Sequence, residues 1–151
     1  MRDTIYTIPL TDVFSPREGC PVCRLRSMLE KRCVEYIMGA AMMEPDIRIE
    51  TNRYGFCPSH LELLIRQKNR LSLALMLETH LDELRDRHMP PSVKKGTPPV
   101  SETCFVCREI DGAAEKLLDT ALKLFFSDSS FQALFLEQDY CWKHYEALCL
   151  Q

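Results

Sequence analysis

The chain has 151 residues, of which 46% are hydrophobic and 27% are charged, and its formal net charge is −3. This composition is sufficient for a packed core in one domain or in two small ones, and it excludes a chain that is disordered throughout. The slightly acidic balance also disfavours a general nucleic-acid binder.

The N-terminal stretch gives no sign of targeting. From Met1 to Gly19 there is no apolar run followed by a cleavage site, and no part of the chain approaches the roughly 20 consecutive apolar residues of a membrane span. We therefore expect a soluble, cytoplasmic protein without a membrane partner. In that reducing compartment its eight cysteines are better explained as metal ligands or buried thiols than as disulfides.

The first predicted element is a helix that follows a Cys-x-x-Cys motif at Cys20 and Cys23. Behind the motif, apolar residues recur at helical spacing: Leu25, Met28, Leu29, Cys33, Tyr36, Ile37 and Ala40. The connector from Met43 to Phe56 is unusually polar and contains Pro45 and a turn at Gly55. We interpret it as a solvated connector, with a binding loop as the alternative.

A Cys-x-x-His motif, Cys57 and His60, opens the next element. Pro58 suits the first turn of a helix, and neither glycine nor proline recurs before Pro90. The pattern predicts one long helix of about 30 residues. Its segment from Leu71 to Leu77 is apolar nearly all round, and we expect that segment to be buried. Its leucines are interpreted as core, with a partner-binding face as the alternative.

The same pattern then returns after a break. Residues 90–100 are rich in proline and lysine and predict an extended linker. Cys104 and Cys107 form a second Cys-x-x-Cys that leads into an apolar helical stripe, and Cys141 and His144 form a second Cys-x-x-His. Between them, apolar residues after Ser129 predict a short helix with a serine cap.

The two patterns are related by a constant offset of 84 residues, from Cys20 to Cys104 through His60 to His144. The offset also matches Val22 with Val106, Arg24 with Arg108, Glu62 with Glu146 and Leu64 with Leu148. It therefore identifies an internal duplication. We predict an all-α fold of two tandem zinc-nucleated helical repeats with a long central helix. The first repeat spans residues 1–89, the linker 90–100 and the second repeat 101–151.

The repeated motifs predict two metal sites. A two-residue gap lets one tight turn direct two side chains at a single tetrahedral ion. Within the repeats, the ligands group as Cys20, Cys23, Cys57 and His60, and as Cys104, Cys107, Cys141 and His144. Three thiolates and one imidazole favour zinc, with iron or an iron-sulfur centre as the alternative. Two such zinc sites would bring the net charge to about −5.

Other interpretations of the cysteines are weaker. A thioredoxin-like dithiol would require a strand leading into the motif, and the sequence shows none. The two remaining cysteines, Cys33 and Cys149, align with Leu117 and Ile65, and we expect both to be buried in the core rather than to bind metal.

Several stretches resemble an uncharacterised bacterial domain family with duplicated Cys-x-x-Cys and Cys-x-x-His motifs. They are Ile8-Pro9 with Asp12-Val13-Phe14, Cys20-Pro21-Val22-Cys23-Arg24, Gly39 to Pro45, Glu50-Thr51-Asn52, Gly55-Phe56-Cys57 and Asn69-Arg70-Leu71. The resemblance covers nearly the whole chain. It supports the eight metal ligands but implies no activity, because that family has no established function.

On the sequence alone, function remains open between three classes. The first is a non-catalytic interaction or adaptor module with a protein partner, because four protein ligands leave no open position on a metal. The second is a metal-thiolate redox or metal sensor, in which Arg24 and Arg108 could lower thiol pKa values. The third, disfavoured by charge, is nucleic-acid binding through a local basic patch, formed either by Arg66, Lys68 and Arg70 or by Arg24, Arg26, Lys31 and Arg32. We expect no enzyme: His80 could share a face of the long helix with Glu83 or with His88, but no nucleophile, phosphate loop or paired carboxylates accompany them. The oligomeric state does not follow from the sequence.

Overall fold

The structure, a computed structural model, describes residues 10–88 and 103–150, and every regular element in these ranges is helical. This confirms the predicted all-α fold. The predicted linker at residues 90–100 lies outside the described residues. The helices are α1 (Leu10–Phe14), α2 (Pro21–Met38), a 3-10 helix (Ala40–Met43), α3 (Pro45–Tyr54), α4 (Pro58–Arg66), α5 (Arg70–His88), α6 (Phe105–Ser127), α7 (Ser129–Leu136) and α8 (Trp142–Cys149).

The chain divides into two compact units. Unit A consists of Met1–Arg32 and Ile110–Gln151, and unit B consists of Cys33–Glu109. Each unit thus draws on both copies of the duplicated sequence. The division into residues 1–89, 90–100 and 101–151 follows the sequence repeat and stays a prediction.

The duplication is visible in the buried side chains of helices α2 and α6. At four pairs of equivalent positions, spaced seven and then four residues apart, the side chains of both helices are buried. The buried pairs are Val22 and Val106, Leu29 and Ala113, Cys33 and Leu117, and Ile37 and Ala121. The two helices therefore share part of their buried face, although Leu25 and Ile110 are buried at positions whose counterparts, Glu109 and Arg26, are not.

Unit A is organised around aromatic side chains that join α1 to α7. Phe14 is fully buried, and its ring centroid lies 5.3 Å from that of Phe131 and 5.4 Å from that of Phe135. Phe135 continues the cluster to Phe125 at 5.1 Å and to Tyr140 at 5.2 Å. Such edge and offset contacts add to the free energy gained from apolar burial. The cluster fixes Tyr140, which immediately precedes Cys141.

In unit B, α5 packs against α3 and α4. The predicted polar connector is largely helix α3, which begins at Pro45 and ends before Gly55. Two of its polar residues, Arg48 and Asn52, form hydrogen bonds with α5. Arg48 donates to the carbonyl of Leu75 and to the hydroxyl of Thr79, which in turn donates to Asn52 at 2.8 Å. The expectation of a solvated connector is therefore corrected: the polarity belongs to a helix-helix contact.

The single helix of about 30 residues predicted after Pro58 is wrong, because residues 67–69 separate α4 from α5. Asn69 causes the new start. Its side-chain oxygen accepts the backbone N–H of Ser72 at 3.2 Å, as an N-cap does, and its amide donates to the carbonyl of Met38 at 2.9 Å. The predicted serine cap of α7 is also corrected, since Asp128 accepts the N–H groups of Ser130 and Phe131.

Candidate metal centres

All eight predicted ligands lie in two clusters, but their grouping differs from the prediction. Site A consists of Cys20, Cys23, Cys141 and His144, and site B consists of Cys57, His60, Cys104 and Cys107. Each site therefore combines the Cys-x-x-Cys of one repeat with the Cys-x-x-His of the other. The predicted grouping within each repeat is wrong, and the exchange places site A within unit A and site B within unit B.

In site A, three sulfurs surround one imidazole nitrogen. His144 Nδ1 lies 3.4 Å from Cys20 Sγ, 3.4 Å from Cys23 Sγ and 3.1 Å from Cys141 Sγ. Cys23 Sγ and Cys141 Sγ are 3.9 Å apart. The four ligand atoms all lie within 4.8 Å of one another.

Site B repeats this arrangement. His60 Nδ1 lies 3.2 Å from Cys57 Sγ and 3.3 Å from the sulfurs of both Cys104 and Cys107. Cys57 Sγ and Cys107 Sγ are again 3.9 Å apart. In both sites the histidine presents Nδ1, so the imidazole ligand has the same orientation relative to its Cys-x-x-His turn.

Hydrogen bonding cannot explain three sulfurs around one nitrogen, because a ring nitrogen carries only one proton or one lone pair. Disulfides are excluded by sulfur separations of 3.9 Å, against about 2.05 Å for an S–S bond. A tetrahedral zinc with Zn–S of about 2.3 Å and Zn–N of about 2.0 Å implies S···S near 3.8 Å and S···N near 3.5 Å. Each cluster could therefore hold a metal ion.

Local backbone geometry explains how each motif directs its ligands. The residue after each Cys-x-x-Cys, Arg24 or Arg108, donates its N–H to the carbonyl of the first cysteine at 3.1 Å. Cys57 and Cys141 stand at the N-cap positions of α4 and α8, both with φ −69°. The histidine follows one turn into the helix, on the same side. The duplicated spacing thus encodes the same two turns twice.

The electrostatics of the clusters favour a bound cation. Burial opposes ionisation of Cys20, but N–H groups of Cys141, Cys23 and Val22 outweigh it and lower the pKa of this thiol. Desolvation and the neighbouring sulfurs raise the pKa of Cys23 to about 11 and that of Cys107 to about 12. In site B, burial likewise opposes ionisation of Cys57, but hydrogen bonds from the backbone and the neighbouring thiols lower the pKa of this thiol. Each site thus contains one stabilised thiolate, and a cation would stabilise the thiols whose pKa is raised.

Arg24 links the two chain segments that supply the ligands of site A. Its guanidinium donates to the carbonyls that lead up to Cys20 and to the side-chain oxygen of Gln138, which lies just ahead of Cys141. The accepting carbonyls belong to Val13, Pro16, Glu18 and Gly19. Gln138, itself buried, donates to the carbonyl of Phe14 at 2.7 Å. This network ties both halves of site A to one set of loops.

In unit B, hydrogen bonds to the carbonyls of Tyr54 and Gly55 take the equivalent role. The N–H of Phe105 donates to the carbonyl of Gly55 at 2.9 Å, and the hydroxyl of Thr103 donates to the carbonyl of Tyr54 at 2.7 Å. These bonds place Cys104 beside Cys57. Arg108, the counterpart of Arg24, instead lies over the ring of Tyr54 at 4.2 Å, so the duplicated arginines have different structural roles.

The two sites differ in exposure. In site A, Cys23 and Cys141 are exposed, whereas in site B both Cys104 and His60 are buried. Solvent and small reagents therefore reach two sulfurs of site A. The sequence could not show this difference, because the ligand sets are identical.

The two additional cysteines have different surroundings. Cys33 is buried as predicted, and desolvation raises the pKa of its thiol to about 12. Cys149 is exposed, so the expectation that it lies in the core is wrong. Its counterpart Ile65 is also exposed, at 55%, which shows that this position faces outward in both copies.

A family model described as "Family of unknown function (DUF6062)" matches the chain twice, over residues 1–100 and 91–151. The chain belongs to this family. The two matches fall on the two halves of the duplicated sequence, in agreement with the resemblance that the motifs carry. Comparison of this DUF6062 protein with curated proteins and with solved structures finds no significant match.

A membrane-spanning helix is not found in the part of the chain that the structure describes, since none of its helices combines sufficient length with sufficient apolar character.

Gly55 supports site B through its carbonyl, which accepts the N–H of Phe105. Its φ of 61° lies in the region that favours glycine, and a Cβ here would lie 2.5 Å from Nε2 of His80. The ring of His80 is buried and fixed by a 2.8 Å contact from Nδ1 to the carbonyl of Asn52.

We expect Gly55→Ala to lower the free energy of unfolding by on the order of 2 kcal/mol, because it combines backbone strain with displacement of a buried ring. Gly112→Ala is the matched control: it lies inside α6 with nothing within 4 Å, and it should leave stability unchanged or raise it. Urea unfolding of both variants measures this. Equal stability of the two variants would contradict the role assigned to Gly55.

Proposed function

We propose that this protein is a non-catalytic, zinc-organised interaction module in which sites A and B each hold one structural zinc ion. The observation that supports this is the complete ligand set of each site: three sulfurs and one nitrogen, all mutually within 4.8 Å. Structural zinc sites have four protein ligands, whereas catalytic sites keep one position for water or substrate. The proposed partner is a protein.

Zinc is preferred over iron on the chemistry of the ligands. Three thiolates with one imidazole are a typical structural zinc set, and zinc imposes no geometry of its own beyond the tetrahedron that the side chains form. The S···N separations of 3.1–3.4 Å are slightly shorter than the zinc geometry requires, so binding would need only small outward movements of the side chains.

The proposal makes folding depend on the metal. Structural zinc binding contributes roughly 10–16 kcal/mol in small zinc-finger peptides, which is comparable with the roughly 5–15 kcal/mol stability of a whole domain. Each site joins chain segments that are far apart in sequence, 118 residues in site A and 50 in site B, measured between cysteines. Without the ions, three thiols would surround one nitrogen with few hydrogen bonds to hold them.

Elemental analysis and circular dichroism test this proposal together. We expect two zinc ions per purified chain, no visible absorption of the kind iron-sulfur clusters give, and a loss of helicity and of thermal stability after removal of the metal with a strong chelator. Restoring zinc should restore both. An iron centre, or a metal-free protein with unchanged helicity and melting, would refute it.

A second candidate function, redox sensing, is favoured by one observation: Cys23 and Cys141 of site A are exposed, and their sulfurs are 3.9 Å apart. Hydrogen peroxide could oxidise these two thiolates to a disulfide. Two electrons pass to the peroxide, which takes up two protons and leaves as two waters, and the ion loses two ligands and is released.

If site A senses peroxide, limiting peroxide should release one zinc per chain well before the second, and a Cys23–Cys141 disulfide should form. A chromogenic zinc chelator and peptide mass spectrometry measure the two events. The experiment is carried out in the Cys149→Ser background, because Cys149 is exposed and lies outside both sites. Simultaneous release of both ions, or cysteine oxidation without release, would exclude the sensor.

A further inference from the structure

Unit A contains an apolar groove of about 460 Å³ between the end of α6, α7 and α8. Its lining is dominated by aromatic and leucine side chains: Phe125, Phe126, Phe135, Leu136, Tyr145 and Leu148. Phe126 is 83% exposed, Leu136 69% and Tyr145 52%. A continuous apolar surface of this kind is typical of an interaction site.

The internal duplication identifies the counterpart of this groove in unit B. With the offset of 84 residues, α7 corresponds to α3 and α8 corresponds to α4. In unit B, α5 packs against both α3 and α4. Leu64 of α4 is completely buried, whereas its counterpart Leu148 on α8 is only half-buried and α8 has no buried residue.

The residues of unit B that contact α5 show which surface is uncovered in unit A. Arg48 and Asn52 bond to α5, and Gly55 lies directly against His80 of α5. Their counterparts, in the same order, are Gln132, Leu136 and Asp139, and all three are exposed. Leu136 and Asp139 line the groove, which therefore includes surface that a helix covers in the other copy.

We propose that this groove binds one amphipathic helix of a partner protein, in the position that α5 takes against α3 and α4. Helix-in-groove recognition uses an apolar helix face against an apolar cleft, which is the chemistry available in this groove. The inference deepens the proposed function by naming the partner surface, and it rests on the interaction role but not on the identity of the metal.

The substitutions between the two copies define the partner helix further. Asn52 accepts the hydroxyl of Thr79, but Leu136 stands in its place, so the partner carries an apolar residue at the position of Thr79. Gly55 leaves room for His80, but Asp139 has a Cβ, so the partner carries a small residue at the position of His80.

The probe is a fluorescein-labelled peptide with the sequence of residues 70–88 carrying Thr79→Leu and His80→Ala. Fluorescence anisotropy with the full-length, metal-loaded protein should show saturable one-to-one binding, tighter than that of the unchanged 70–88 peptide. Leu136→Asp should weaken binding by about tenfold or more, because it places a charge in the apolar groove. Ile49→Asp is the matched control, since Ile49 is a similarly exposed apolar residue on α3, at 61% against 69% for Leu136.

Metal content is measured on the same samples, so that the two proposals can fail separately. Absence of saturable binding by protein that holds two metals and keeps its helicity would overturn the groove proposal alone. Equal effects of Leu136→Asp and Ile49→Asp would overturn it as well. Binding by protein without metals would instead contradict the proposed zinc-dependent function.

The groove could instead be occupied by a second copy of the chain or by the chain's own N-terminal segment. Each gives a distinct result, and either result would overturn the proposal of a partner helix. A second copy would appear in sedimentation equilibrium as a dimer that Leu136→Asp converts to monomers. If the chain's own N-terminal segment occupied the groove, the peptide would bind only to a variant that lacks residues 1–9.

Discussion

The structure depends on one constraint: three cysteine sulfurs converge on one histidine nitrogen, twice. Site A joins residues near 20 to residues near 141, and site B joins residues near 57 to residues near 104. Each site closes a large part of the chain, and each lies within one compact unit. A metal ion at each site would link these distant chain segments directly.

The Cys and His motifs could be predicted from the sequence because their information is local. A two-residue gap and a proline after Cys57 define turns and helix starts without reference to the rest of the chain. The grouping of the motifs could not be predicted in this way. Each doubling of loop length costs only about 0.6 kcal/mol in closure entropy, which is small beside the free energy of zinc binding. Chain distance therefore does not select the nearer partner.

The missed helix boundaries have a similar origin. Asn69 interrupts the segment after Pro58 through bonds to Ser72 and to the distant carbonyl of Met38, and only the first of these is local. The polar face of α3 looked solvated because its partner, α5, could not be identified from the sequence. In both cases, helix propensity and hydrophobic periodicity gave the wrong prediction because tertiary contacts determine the structure.

The two copies of the duplicated sequence share the turns that present the metal ligands, but they differ in the contacts that hold these turns in place. Arg24 gathers the loop carbonyls ahead of site A, whereas its counterpart Arg108 contacts Tyr54 and site B relies on the backbone of Gly55. The differences extend outward: site A has exposed sulfurs, and the surface beside it has no covering helix among the described residues. In unit B the metal site is more buried, and α5 packs against α3 and α4.

The exchanged grouping of ligands is tested most directly by counting metal ions in two variants that each lack four ligands. Cys20→Ser, Cys23→Ser, Cys141→Ser and His144→Ala together should leave site B complete, so cobalt(II) titration should show one tetrahedral ion. Cys20→Ser, Cys23→Ser, Cys57→Ser and His60→Ala together should disable both sites and abolish tight binding. If the sites formed within each repeat, the first variant would bind no ion and the second would bind one, and that result would contradict the exchanged grouping.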